Sequence, residues 1–108
     1  MPQTIDTCTH ILPEAFGSSR ERISRADSTF RSLFANSKAK FAHADDLISS
    51  MDEAGIDVSV CVGFGWTDPD VARISNDYNL DAARSNPDRL VPFCSVNPLW
   101  GEDAVAEV

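Results

Sequence analysis

The chain has 108 residues, 43% hydrophobic and 24% charged, with 17 acidic against nine basic side chains. That is enough for one small domain with a modest core, and the ordinary globular composition excludes a largely disordered chain. The formal charge of −8 argues against a nucleic-acid partner, since phosphate binding needs clustered Lys and Arg.

No run nears the ~20 apolar residues of a membrane helix, and the N-terminus has no basic flank with an apolar stretch, the mark of a signal peptide. A cytoplasmic protein without a membrane partner is expected. Cys8, Cys61 and Cys94 are odd in number and sit in strand-like stretches, which points to reduced thiols rather than a disulfide framework. Six of the nine basic residues (Arg20, Arg22, Arg25, Arg31, Lys38, Lys40) fall between positions 20 and 40. A solvated surface is the favoured reading of that segment over an anion-binding one.

Residues 4–12 (TIDTCTHIL) predict a strand, with β-branched Ile5, Thr7, Thr9 and Ile11 alternating with Asp6, Cys8 and His10. Pro13 ends it. Residues 14–42 read as a long loop with helical content, a helix over 28–39 carrying Phe30, Leu33 and Phe34 on one side. Connections this long are usually functional. Residues 43–54 predict a helix, with Leu47, Ile48, Met51 and Ala54 at helical spacing. Asp45 and Asp46 lie in its first turn, and Gly55 is its left-handed stop.

Residues 56–62 (IDVSVCV) predict a strand apolar on both faces, as in a parallel sheet covered by helices. After GFGWTD, Asp68 reads as an N-cap and Pro69 as the first helical residue. That helix is expected to turn Val71, Ile74, Tyr78 and Ala82 inward and to end near Asn86 and Pro87. Residues 90–96 (LVPFCSV) predict a third strand, closed by Asn97 and Pro98, and residues 102–108 begin another helix. The ~34 residues from strand two to strand three match one βαβ unit. The fold class expected is therefore α/β, three parallel strands with flanking helices in right-handed connection.

The stretch Asp6-Thr7-Cys8-Thr9-His10 carries the chemistry. Residues two apart on a strand point the same way, so strict alternation puts Asp6, Cys8 and His10 on one face. Cys8 and His10 then lie nearest the C-terminal end, where thiolate and imidazole can converge on a divalent ion such as zinc. Asp6 would be an outer-shell acceptor orienting a ligand. On spacing alone a buried structural cysteine is the simpler reading of position 8, and zinc requires three or four protein ligands.

The segment IDTCTHILPEAF resembles the opening of amidohydrolase-related proteins, whose first strand carries Asp-x-His-x-His followed by Pro-Glu. MDEAGIDVSVCVGFGW, SNDYNLDAARSNPDRLVPFCSVNP and the Gly-Glu-Asp after them resemble the same family, in the branch that includes aminocarboxymuconate-semialdehyde decarboxylase and 2,3-dihydroxybenzoate-type decarboxylases. The resemblance spans the chain except residues 17–40. It implies the first three βα units of a TIM (β/α)8 barrel, residues 1–108 forming a partial, truncated domain lacking about five strands, since such barrels take ~250 residues. It also implies a divalent metal (zinc, with manganese or iron as alternatives) activating water toward a small-molecule substrate.

His10 matches a family ligand. Cys8 stands where the family has His, and a thiolate there lowers the ion's Lewis acidity. The remaining family ligands and the acid/base residue have no counterpart in this chain. The first reading is a metal-dependent hydrolase of C–N or C–O bonds; the alternatives are a non-oxidative decarboxylase and a non-catalytic binding or structural module. Open strand edges make a homo-oligomer an expected partner arrangement.

Phe64 and Trp66, after strand two, are candidate substrate-binding walls, equally readable as a turn covering the barrel end. His43 reads as a helix cap or an exposed side chain, and Asn97 as a turn residue. Arg73, Arg84 and Arg89 read as helix-surface cations.

Overall fold

The computed structural model describes residues 2–108. Three parallel strands, β1 (Ile5–Thr9), β2 (Val58–Cys61) and β3 (Leu90–Pro92), lie side by side in chain order. Each is shorter than the sequence pattern suggested. Single backbone bonds continue past their ends, from Val62 to the Thr9 carbonyl and from Phe93 to the Cys61 carbonyl, so the bounds mark the regular ladder only.

Between β1 and β2 run three short helices, α1 (Glu14–Ser18), α2 (Arg20–Ala26) and α3 (Ser28–Phe34), and then α4 (Ala44–Ala54). The expected long loop is thus largely helical, and the helix foreseen over 28–39 stops at Phe34. The physical reason lies in Arg20. Its guanidinium donates to the carbonyls of Phe34, Asn36 and Ala39 and lies 5.0 Å from the Phe41 ring centroid. Side-chain donors therefore satisfy carbonyls beyond α3, and the chain there is free to turn.

The connection from β2 to β3 is α5 (Pro69–Ser85). A 3₁₀ turn (Pro98–Trp100) and α6 (Glu102–Glu107) follow β3. The ends of α4 and α5 follow the local chemistry. Gly55, at φ 71°, caps α4 in the left-handed conformation. The Asp68 carboxylate accepts the amides of Asp70 and Val71 at the start of α5.

Two cores result. Met51 of α4 packs with Ile11, Cys61, Leu90, Ala82 and Ala83 against one face of the sheet. The α1–α3 excursion contributes Phe16, Ile23 and Phe30, which pack with Leu12, Trp66, Val71 and Ala72. The inner face of α5 is more polar than its hydrophobic pattern implied: Ser75, Asn76 and Asn79 are buried, whereas Ile74 is 46% exposed. Among the described residues no helix is long and apolar enough to cross a membrane.

Candidate metal-ligating site

The register of β1 against β2 pairs Ile5 with Val58, Asp6 with Ser59, and then Thr9 with Cys61. Three residues of β1 thus span two of β2, which is a bulge. Paired residues of parallel strands share a face, so Thr9 follows Cys61 toward the helices. Its hydroxyl donates to the Val60 carbonyl at 2.8 Å and lies 3.8 Å from Cys61 Sγ. Cys8 and His10, on either side of Thr9, turn to the opposite, exposed face.

The expected pair does converge there. Cys8 Sγ lies 3.9 Å from His10 Nε2. Asp6 does not share that face. It pairs with Ser59, before the bulge, and its carboxylate accepts the Cys8 amide at 3.2 Å, so it touches the candidate ligand through the backbone and not through the side chain. The extra residue is what breaks the assumed alternation.

His10 is well placed as a ligand. Its Nδ1 is 2.9 Å from the Val62 carbonyl, and a carbonyl only accepts, so Nδ1 carries a hydrogen and Nε2 is the nitrogen turned toward Cys8. The imidazole stacks on Phe64, centroids 4.1 Å apart and planes at 21°. Both partners, Val62 and Phe64, follow β2, so His10 stands at the C-terminal end of the sheet.

A zinc ion with bonds of about 2.3 Å to sulfur and 2.0–2.1 Å to nitrogen in tetrahedral array separates those atoms by ~3.6 Å. The observed 3.9 Å is within a small side-chain adjustment of that value. The donor pair therefore fits a divalent ion, as part of a site. Among the described residues no group of three or more His, Cys, Asp and Glu side chains could hold one.

The other sequence candidates fall as follows. Phe64 is half-buried and forms the floor beneath His10. Trp66 is 1% exposed and packs edge-on against Phe16 and Phe64, with its Nε1 buried and unpartnered. It supports the Phe64 ring from within the core. His43 sits at the N-cap of α4, its Nδ1 2.6 Å from the Leu12 carbonyl, remote in role from Cys8 and His10. Asn97 caps the 3₁₀ turn through the Leu99 amide. Arg73 and Arg84 are exposed and pair with Asp70 and Asp81. Arg89 is no mere surface cation: it donates to the carbonyls of Ile56 and Asp57 and pairs with Asp52 at 2.9 Å.

Two anchoring groups escaped the sequence reading. Asp27 is fully buried, and its carboxylate accepts the amides of Phe30, Thr67 and Asp68. Asn76 of α5 holds both the amide and the carbonyl of Ser95 at 3.0 Å, and Ser95 Oγ accepts the Gly63 amide. Asp27 carried a visible signal as an N-cap before Ser28. Its second oxygen's partners, forty residues away, left none. Of the other thiols, Cys61 is raised in pKa by burial, partly opposed by its contact with Thr9. Cys94 is raised by desolvation and by the nearby Glu107 carboxylate.

No protein-family model and no curated protein matches the chain. Solved structures do. A 5-carboxyvanillate decarboxylase from Novosphingobium aromaticivorans, complexed with manganese and 4-hydroxy-3-methoxy-5-nitrobenzoic acid, superposes with a TM-score of 0.66 at 23% identity, covering 90% of this chain and 34% of that one. A 2,6-dihydroxybenzoate decarboxylase complexed with 2,6-dihydroxybenzoate gives a TM-score of 0.59 at 20% identity, covering 99% of this chain and 35% of that one. The chain is thus an α/β unit of three parallel strands that shares its fold with these decarboxylases and spans about a third of their length.

Proposed function

We propose that this chain is the N-terminal part of a metal-dependent decarboxylase barrel, contributing Cys8 and His10 as two of the metal ligands. The observation that carries the reading is the 3.9 Å approach of Cys8 Sγ to His10 Nε2 at the C-terminal end of parallel strands. That is the end at which barrel enzymes place their active sites. The likeness to two decarboxylases favours non-oxidative loss of carbon dioxide, with a proton replacing the carboxylate, over the hydrolysis first expected. The ion, when bound, supplies positive charge for substrate oxygens. His10 holds its lone pair outward through the Val62 carbonyl, and Phe64 supplies an aromatic floor for a ring-bearing acid. Zinc and manganese are both candidates, the thiolate favouring the softer zinc. The remaining ligands and the proton donor belong to strands without counterpart here.

Cobalt(II) titration of the reduced chain tests this. A thiolate-to-cobalt absorption band is expected, with affinity falling about tenfold or more in His10→Ala, since loss even of a partner behind a ligand costs about 10–100-fold. Cys8→His should abolish the band while retaining the ion. An affinity unchanged by His10→Ala and by Cys8→Ala removes both residues from the reading.

A further inference from the structure

The α1–α3 excursion is stitched to the segment after β2 at several points. Asp27 accepts the amides of Thr67 and Asp68 through one carboxylate oxygen, each at 2.8 Å, and the Phe30 amide through the other at 2.9 Å. Ser28 donates its amide to Thr67 Oγ1 at 3.0 Å, and Thr29 donates its hydroxyl to the Gly65 carbonyl at 2.7 Å. The segment so held, Gly65 to Asp68, directly follows Phe64, on which His10 is stacked, and lies three residues past Val62, whose carbonyl accepts the His10 Nδ1 hydrogen bond. Phe34 of α3 meets the Phe64 ring edge-on at 6.5 Å.

We infer that Asp27 is a positioning residue for His10, holding residues 64–68 so that Phe64 and the Val62 carbonyl fix the imidazole with Nε2 outward. The positional claim stands for the free chain. Its catalytic meaning alone rests on the metal reading above.

Asp27→Ser separates the two roles of the carboxylate, because serine still caps α3 but is too short to reach Thr67 and Asp68. In proton NMR of the reduced, metal-free chain, stacking on Phe64 shifts the His10 ring protons, and Phe64→Leu defines their unstacked position. Asp27→Ser is expected to leave α5 amide exchange unchanged and to speed Thr67 and Asp68 exchange about tenfold or more, as for two lost charge-assisted bonds. The His10 signals should move more than half-way to their Phe64→Leu position. Faster exchange with His10 signals left in place would make Asp27 merely structural and overturn the inference. In the wild-type chain, independently of any variant, Thr67 and Asp68 amides should exchange as slowly as those of α5. Unprotected amides there also overturn it. Cobalt binding enters neither readout, so failure of the metal reading leaves this result distinct.

Discussion

His10 and Cys61 sit on opposite faces of the sheet, separated in role by the backbone of Thr9. Burial pushes the Cys61 thiol above its ordinary value of 9.0, as it does that of Cys94, so the folded chain holds these protons more tightly than the unfolded one. This stabilising contribution is whole below pH 9.0 and is lost as pH rises through the folded-state values. Urea midpoints should therefore fall from about pH 8 to about pH 10.5, and less steeply in Cys61→Ala. Equal slopes would remove Cys61 as a source. At this scale the shared face of Cys8 and His10 was legible, because the two flank Thr9, which keeps its rung opposite Cys61. Asp6 was misplaced because a bulge leaves no mark in composition. The burial of Trp66 was hidden as well: its packing against Phe16 and Phe30 joins residues 36 to 50 positions apart in the chain, which no local pattern shows.

At the level of elements, α4 and α5 announced themselves through Asp68-Pro69, Gly55 and a spaced apolar stripe. α3 was foreseen at its start, through Phe30, Leu33 and Phe34 on one side, but α1 and α2 were not, since helices of five to seven residues barely register as periodicity and take their stability from aromatic packing. Phe30 lies 4.9 Å from Phe34 and 5.7 Å from Phe16, centroid to centroid. The inner face of α5 was partly misread for a related reason. Asn76 is buried because it binds the segment after β3, not because it is apolar. Asn76→Ala removes both bonds to Ser95 and leaves the half-buried Ser95 amide and carbonyl without those partners. A loss of about 1–3 kcal/mol in unfolding free energy is expected, with faster amide exchange concentrated at Ser95. A change below about 0.5 kcal/mol, ordinary for an inconsequential surface site, would contradict that anchoring role. Gly63 adds a steric condition at the same junction, since a Cβ there would lie 2.8 Å from Ser95 Oγ.

The whole molecule is thin in one direction, 45 × 34 × 19 Å, and its radius of gyration of 14.4 Å exceeds the ~13 Å of a compact domain this long. Helices cover one face of the sheet. The other face and the flanking segments leave Ile5, Val91 and Phe93 at 52%, 40% and 55% exposure, and β1 and β3 each have an unpaired edge. Exposed parallel edges with apolar side chains favour self-association. Sedimentation velocity should show species larger than the monomer growing with concentration, and Ile5→Lys with Phe93→Lys should suppress them without lowering the unfolding midpoint. A monomer throughout would refute this. The order of the strands was readable from the βα spacing, whereas their short paired lengths were not.

The additional residue in β1 decides which neighbours share the donors' face. With Thr9 opposite Cys61, Cys8 and His10 both turn away from the helices, and Asp6, opposite Ser59, does not join them. Removal of Thr7 would equalise the counts between those two rungs and, with both rungs kept, would leave Cys8 and His10 two apart on the same outward side. Deletion of Thr9 instead would make sulfur and imidazole chain neighbours on opposite sides of the strand, although both would remain in the chain.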